Sequence, residues 1–296
     1  MSTGQQGIVL EQTHVKTKNE HSLFRKLIRN RFAAFGLFVI LLLILTALFA
    51  PVIATHPPNK MNVTKTLLGI GVEGHILGTD NYGRDIFSRL VYGARISMLV
   101  GIGAVLFGAV VGTLLGVISG YFGGKLDSII MRFMDGLSAF PFILLAITLM
   151  TVLGQGLVNV IIAIGVGNIP GFARVVRGQV LSVKHSEYIE VTRSLGAKHS
   201  RIIFHHVLPN SFAPLIVYAT MSIAGAIISE ASLSFLGLGV QPPTASWGSM
   251  LQDGKDFLVL NPHMATIPGL AILITVVGIN LFGDGLRDAL DPKMKA

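Results

Sequence analysis

From Gly136 to Ala173 the chain carries no Asp, Glu, Lys or Arg. A run of that length has no place on a water-exposed surface, and in lipid its backbone N–H and C=O groups must be satisfied within the run itself. It therefore reads as a helical hairpin or a buried pair of helices. The same pattern holds elsewhere, with charge confined to short blocks between long apolar runs. Only 13% of the 296 residues are charged, about half the fraction usual in a soluble domain, and the mean hydropathy is +0.68. The expected fold class is all-α: a polytopic membrane protein with six transmembrane helices.

The first apolar run, Phe32 to Thr55, follows a polar N-terminal stretch. It is too long for the apolar part of a cleaved signal and reads as a retained helix of about 36 Å. Five more spans are expected: Ile96 to Tyr121, Ile129 to Leu153, Leu157 to Ala173, Phe212 to Leu236 and Met264 to Gly283. The third has Arg132 and Asp135 in its first two turns, where a mutual ion pair is the plain reading. The fifth is interrupted only by Glu230. These three are the polar candidates for a pathway or structural role. The resulting plan is an N-terminal tail (1–31), a first helix (32–55), an outer loop (56–95), a five-helix core (96–286) holding a long connection (182–210), and a C-terminal tail (287–296).

Six spans put both termini on one side, and Lys and Arg indicate which. The N-terminal tail has six, the second-to-third connection two, the fourth-to-fifth six and the C-terminus three, so 17 of the 23 lie on one face. That bias places both termini in the cytoplasm. It also accounts for the net charge of +8 without nucleic acid as a partner. There is no cysteine, so disulfides and cysteine metal sites are excluded.

Ala104, Gly108, Gly112, Gly116 and Gly120 recur every four residues in the second span. Four-residue steps drift only about 40° around a helix, so they form one stripe without side-chain bulk. Such a stripe predicts close approach of another helix, in this chain or another.

The connection 182–210 is basic yet holds Ile189, Leu195, Ile202, Ile203, Phe204 and Val207. Tyr188 to Leu195 reads as one short helix stopped by Gly196. Ser200 to Val207 reads as a second, capped by Ser200 and ended by Pro209-Asn210. Two readings stay open for this helix-turn-helix: pressed into a partner's groove, or resting on lipid headgroups.

Glu190-Val191-Thr192, Gly196 and Leu208-Pro209 in this connection resemble the EAA loop of ABC importer permeases. They depart from its usual pattern at Val191, Thr192 and His206. Further phrases carry the likeness: His75-Ile-Leu-Gly-Thr-Asp-Asn-Tyr-Gly-Arg-Asp, Ser119-Gly-Tyr-Phe-Gly-Gly, Phe235-Leu-Gly-Leu-Gly-Val-Gln-Pro-Pro and Gly283-Asp-Gly-Leu-Arg-Asp-Ala-Leu-Asp-Pro. Over roughly residues 25 to 295 the chain resembles the second permease subunit of dipeptide, oligopeptide and nickel importers.

The resemblance implies a type I ABC importer core in spans two to six and a multi-pass protein of the bacterial inner membrane. It implies that Glu190, Val191, Leu195, Gly196, Ala197, Lys198, Leu208 and Pro209 form or support a coupling helix against an ATPase. The implied partners are a homologous permease subunit, two ABC ATPase subunits and an extracytoplasmic substrate-binding protein. The implied cargo is di- or oligopeptides, with nickel or a metal chelate as the alternative. The chain is expected to bind no cofactor of its own, with ATP and Mg on the ATPase subunits.

The residues agree that the chain is not itself an enzyme. The nearest approach to a phosphate-binding loop, Gly123-Gly124-Lys125, is followed by Leu126 and lacks the earlier glycine. Spans one, two, four and six lack the ionisable residues that ion-coupled carriers keep near the midplane. His205-His206 are adjacent and offer no common ligand face, and His56, His75 and His263 are scattered, each reading as a polar loop residue. The outer loop, Pro57 to Arg95, admits two readings: a surface that receives a binding protein or gates the pathway, or an interfacial helix with snorkelling arginines.

Overall fold

The computed structural model describes residues 27–290, so most of both tails lies outside the described residues. Asn30 opens the first helix by accepting hydrogen bonds from the Phe32 and Ala33 amides, and α1 runs Arg31–Leu48. A short α2, Ala50–Ile53, extends it with Pro51 in its first turn, where a missing N–H costs nothing. The outer loop follows, with 3-10 turns at Val63–Lys65 and Val72–Gly74.

Asp85 caps α3, Ile86–Phe122, by accepting from the Ser88 amide. This helix starts ten residues before the expected span. Its 37 residues extend about 55 Å, well beyond the roughly 30 Å of a hydrocarbon core.

The expected third span is not one helix. It is α4, Gly124–Ala139, and α5, Phe142–Leu153, meeting at 94°. The break falls at Phe140-Pro141, whose ψ values are 134° and 129°. Proline disfavours helical geometry in the residue before it, so the apolar run continues while the helix axis does not.

After the Gly154–Gly156 turn, α6 runs Leu157–Lys184, further than the expected end at Ala173. Next come α7, Glu187–Ser194, and α8, His199–Ile202. Lys198, not Ser200, is the N-cap of α8, and it makes no side-chain cap. The expected stop at Pro209-Asn210 is absent. A π turn, Ile203–Val207, leads straight into α9, Leu208–Phe235. The wider turn relaxes the hydrogen-bond ladder just where proline lacks an N–H and crowds the carbonyl four residues back. The chain closes with α10, Trp247–Gly254, and α11, His263–Leu290. Among the described residues five helical segments are long and apolar enough to cross a bilayer, or six where the bent α4–α5 pair counts as one span.

The glycine stripe of α3 packs on α6 of the same chain. A Cβ at Gly108, Gly112, Gly116 or Gly120 would stand 3.0, 2.7, 2.5 or 3.1 Å from the carbonyl oxygens of Gly165, Ile169, Ala173 and Arg177. The two helices therefore advance in the same four-residue register, backbone against backbone. Between α3, α6 and α9 lies a core of Val100, Ala104, Ile164, Phe172 and Leu233. A second close contact joins the first span to the last: a Cβ on Gly278 of α11 would meet the Val39 side chain of α1 at 2.6 Å.

Candidate functional site

At one end of the bundle the 185–207 segment is built onto the ends of α3 and α6. Ile189 of α7, Ile202 of α8 and Val207 of the π turn are fully buried, in one cluster with Val117, Tyr121, Val176 and Val180. Polar contacts fix the same junction. Lys184 donates from Nζ to the Tyr121 carbonyl at 2.6 Å, and the Tyr121 hydroxyl lies 2.8 Å from His199 Nδ1. Arg177 grips Asp127 of α4 with two bonds of 2.6 Å, and Ser119 also donates to Asp127. Asn210 donates to the His206 carbonyl at 2.6 Å.

The opposite side of α7 is bare. Val191 is 58% exposed and Leu195 84%, and Tyr188 and Phe204 are also exposed. Glu190 is exposed in the first turn, where a carboxylate suits the helix dipole. Gly196 has φ 82°, and a Cβ there would meet nothing within 4 Å. Lys198 and Pro209 are exposed as well, whereas Ala197 and Leu208 are half-buried against the Ile189 cluster. Of the eight residues singled out from sequence, six are thus exposed and two are half-buried against the support cluster. Exposed Tyr188 adds to the apolar side of α7, and Phe204 of the π turn is exposed as well. The signal for Tyr188 was available, since it lies one helical turn from Val191 and two from Leu195.

The remaining polar candidates do not converge. Asp135 pairs with Arg174 of α6 at 3.3 Å, not with Arg132, because the bend at Pro141 lays α4 across α6. Glu230 is fully buried and accepts from Ser97 at 3.0 Å and from Ser234 at 2.7 Å, tying α9 to α3.

At the other end of the bundle the outer loop is folded, and Arg84 and Arg89 do not snorkel. Both are 2% exposed. Arg84 donates to Asp80 at 2.6 Å and to Asp253 of α10 at 2.7 Å, and Arg89 lies 3.5 and 3.8 Å from the same two carboxylates. Two buried cations against two anions hold the loop to α10, a pairing hidden by a separation of 169 residues. Nor are the outer histidines scattered: His56 stacks on His75, with ring centroids 4.4 Å apart. Burial pushes the Asp85 carboxyl up, but bonds from Ser88 and His75 outweigh it and hold the group below the usual carboxylate range.

A cavity of about 620 Å³ opens between α6, α9 and α11, lined by Gln179, Asn210, Pro214, Tyr218, Met221 and Arg287.

Residues 112–296 match the family described as binding-protein-dependent transport system inner membrane component. Residues 21–69 match the N-terminal transmembrane domain of oligopeptide transport permease C. The dipeptide transport system permease protein DppC of Alkalihalophilus pseudofirmus is 47% identical over 273 residues, covering 92% of this chain and 90% of that protein. The glutathione transport system permease protein GsiD of Escherichia coli O157:H7 is 48% identical over 276 residues, covering 93% and 91%. Among solved structures, the MetNI methionine ABC transporter in an inward-facing conformation superposes with a TM-score of 0.58 at 22% identity, over 70% of this chain and 98% of that one. A similar fold occurs in an amino acid ABC transporter, with a TM-score of 0.52 at 11% identity over 68% and 94%.

Proposed function

The chain belongs to the family of binding-protein-dependent transport system inner membrane components, and from that premise we propose that it carries short peptides across the membrane under the control of a separate ATPase that grips α7. The protein is a transmembrane subunit of an ABC importer and is not itself an enzyme. One observation carries the coupling assignment: α7 is fixed to the bundle by a buried isoleucine and presents Val191 and Leu195 bare on its outer side. A conformational signal needs a rigid element that both bodies hold. A helix anchored on one face and apolar on the other meets that need.

In this reading the ATPase groove receives Tyr188, Val191 and Leu195, with Glu190 and Lys198 at its rim. Both termini and α7 lie in the cytoplasm, and the loop 56–83 with α10 faces outward toward a substrate-binding protein. A second, homologous permease completes the pathway, and two ATPase subunits drive it. ATP and Mg belong to those subunits. The cargo reading rests on the relatives, one named for dipeptides and one for glutathione, both short peptides. The test is uptake by the complex reconstituted in vesicles with its own binding protein. ATP-dependent entry of labelled di- and tripeptides is expected. Uptake of nickel with no peptide uptake would overturn the cargo, and peptide entry without ATP would overturn the coupling.

A further inference from the structure

Three residues far from α7 meet at the outer end of the bundle: His56 just after α2, His75 after the second 3-10 turn, and Asp85 at the start of α3. We propose that they form a binding site for one divalent ion of the zinc class, which clips the end of the first span, the outer loop and α3 together. One ligand atom from each lies within 4.8 Å of the others. His75 Nδ1 is 2.8 Å and His56 Nδ1 3.6 Å from the same oxygen, Asp85 Oδ1. The other oxygen is occupied: Oδ2 accepts from the Ser88 amide at 2.7 Å and from the Thr55 hydroxyl at 3.3 Å. Asp85 is thus oriented by one oxygen and offers the other to two imidazoles. That is the supporting arrangement that metal-ligating carboxylates show.

A structural His–Asp bond needs only one imidazole. Here a second ring stacks on the first, tilted by 27°, with its Nδ1 turned to the same oxygen. Two imidazole nitrogens and one carboxylate oxygen suit Zn²⁺, Co²⁺ or Ni²⁺, whereas Ca²⁺ and Mg²⁺ favour all-oxygen shells. Bonds of about 2.0–2.2 Å in a tetrahedral shell put neighbouring donors about 3.4 Å apart. The His56–Asp85 separation already fits, and the His75–Asp85 pair opens by about 0.6 Å as the ion takes the place of the shared proton. Apart from the stacking, His56 Nδ1 lies 3.0 Å from Thr55 Oγ1, and the side chain is 39% exposed, which leaves its ring room to converge on the ion. A cavity of about 200 Å³ beside the cluster leaves room for water as a fourth ligand, while Glu73, which also lines it, is paired with Lys65 at 2.9 Å.

The test uses the intact chain in nanodiscs, free of affinity tag and stripped by chelator, with zinc and cobalt salts as probes. Equilibrium dialysis at neutral pH is expected to give one Zn²⁺ per chain, and Co²⁺ the visible absorption of a four-coordinate site. His56→Phe keeps the stacked ring and removes the nitrogen, and His75→Gln removes the second. Each should weaken binding by at least about tenfold. Replacing His14 and His21 of the N-terminal tail together should leave it unchanged. Less than stoichiometric binding to the wild-type chain would overturn the proposal and leave a plain hydrogen-bonded staple. So would unchanged affinity in both variants. If one variant fails to fold, the other still locates the ion, and sub-stoichiometric binding to the wild-type chain overturns the proposal without either.

Discussion

Gly196 stands at positive φ in open space, so its constraint is conformational and not steric. A β-carbon there costs about 1 kcal/mol and tilts α8 away from its seat. Glu190, in the first turn of α7, gains about 0.3–1 kcal/mol from the dipole, which a lysine would oppose. Gly196→Asp and Glu190→Lys are therefore expected to leave the protein in the membrane and still associated with loaded binding protein. Substrate-stimulated ATP hydrolysis by the reconstituted transporter should fall to background. Import at the wild-type rate in both variants would reduce α7 to a passive surface. A sharper contrast separates the two faces of α7. Leu195→Asp touches nothing inside the chain and should change its stability by no more than about 0.5 kcal/mol while abolishing co-purification of the ATPase. Ile189→Asp buries a charge in the support cluster and should cost more than about 3 kcal/mol, read as loss of the folded chain by thermal unfolding in detergent. Equal ATPase capture by Leu195→Asp and wild type would sink the groove assignment.

Between elements, the contact most exposed to test is the one between α3 and α6. Leucine at Gly112 or Gly116 must displace the carbonyl of Ile169 or Ala173, which is backbone and cannot rotate away. Overpacking of side chains alone costs about 1–3 kcal/mol, and here the helices themselves must move apart. Both variants should show a large fall in melting temperature, whereas Val110→Leu, on an exposed position, should show almost none. Similar melting of all three would mean that the helices slide freely past one another. The stripe could be read from sequence because glycine spacing is visible there. Its partner could not, because α6 meets it with main-chain carbonyls under Ile169, Ala173 and Arg177, which carry no compositional mark. The third span failed for the converse reason. Its apolar run is continuous through Pro141, and hydropathy records composition but not axis direction. In the 182–210 connection the first helix was legible within a residue at each end. The second was misjudged because a π turn lets a helix run on past a proline that ordinarily ends one.

For the molecule as a whole, the expected orientation rests on the distribution of Lys and Arg. A reporter fused after Ala296 is expected in the cytoplasm. Val63→Cys, 84% exposed on the outer loop, should react with an impermeant thiol reagent in intact cells, and Lys198→Cys should not. External labelling at Lys198 would invert the topology. The number of spans and the first helix of the 182–210 connection were legible because they are local patterns. The folded outer end was not, since Arg84 with Asp253, and His56 with His75 and Asp85, are brought together only by tertiary structure. The run from α8 through the π turn to the end of α9 has a mechanical side. It covers 37 residues, about 55 Å, as one membrane-crossing unit, with one end in the α7 junction and Glu230, near the other, bonded to Ser97. A rod of that length acts as a lever. Pivoted at either end, a tilt of about 5° carries the opposite tip through about 5 Å, comparable with one turn of helix. Were the coupling proposed for α7 to rock this rod by that angle, the displacement at the far side of the bilayer would be large enough to separate a pair of packed helices.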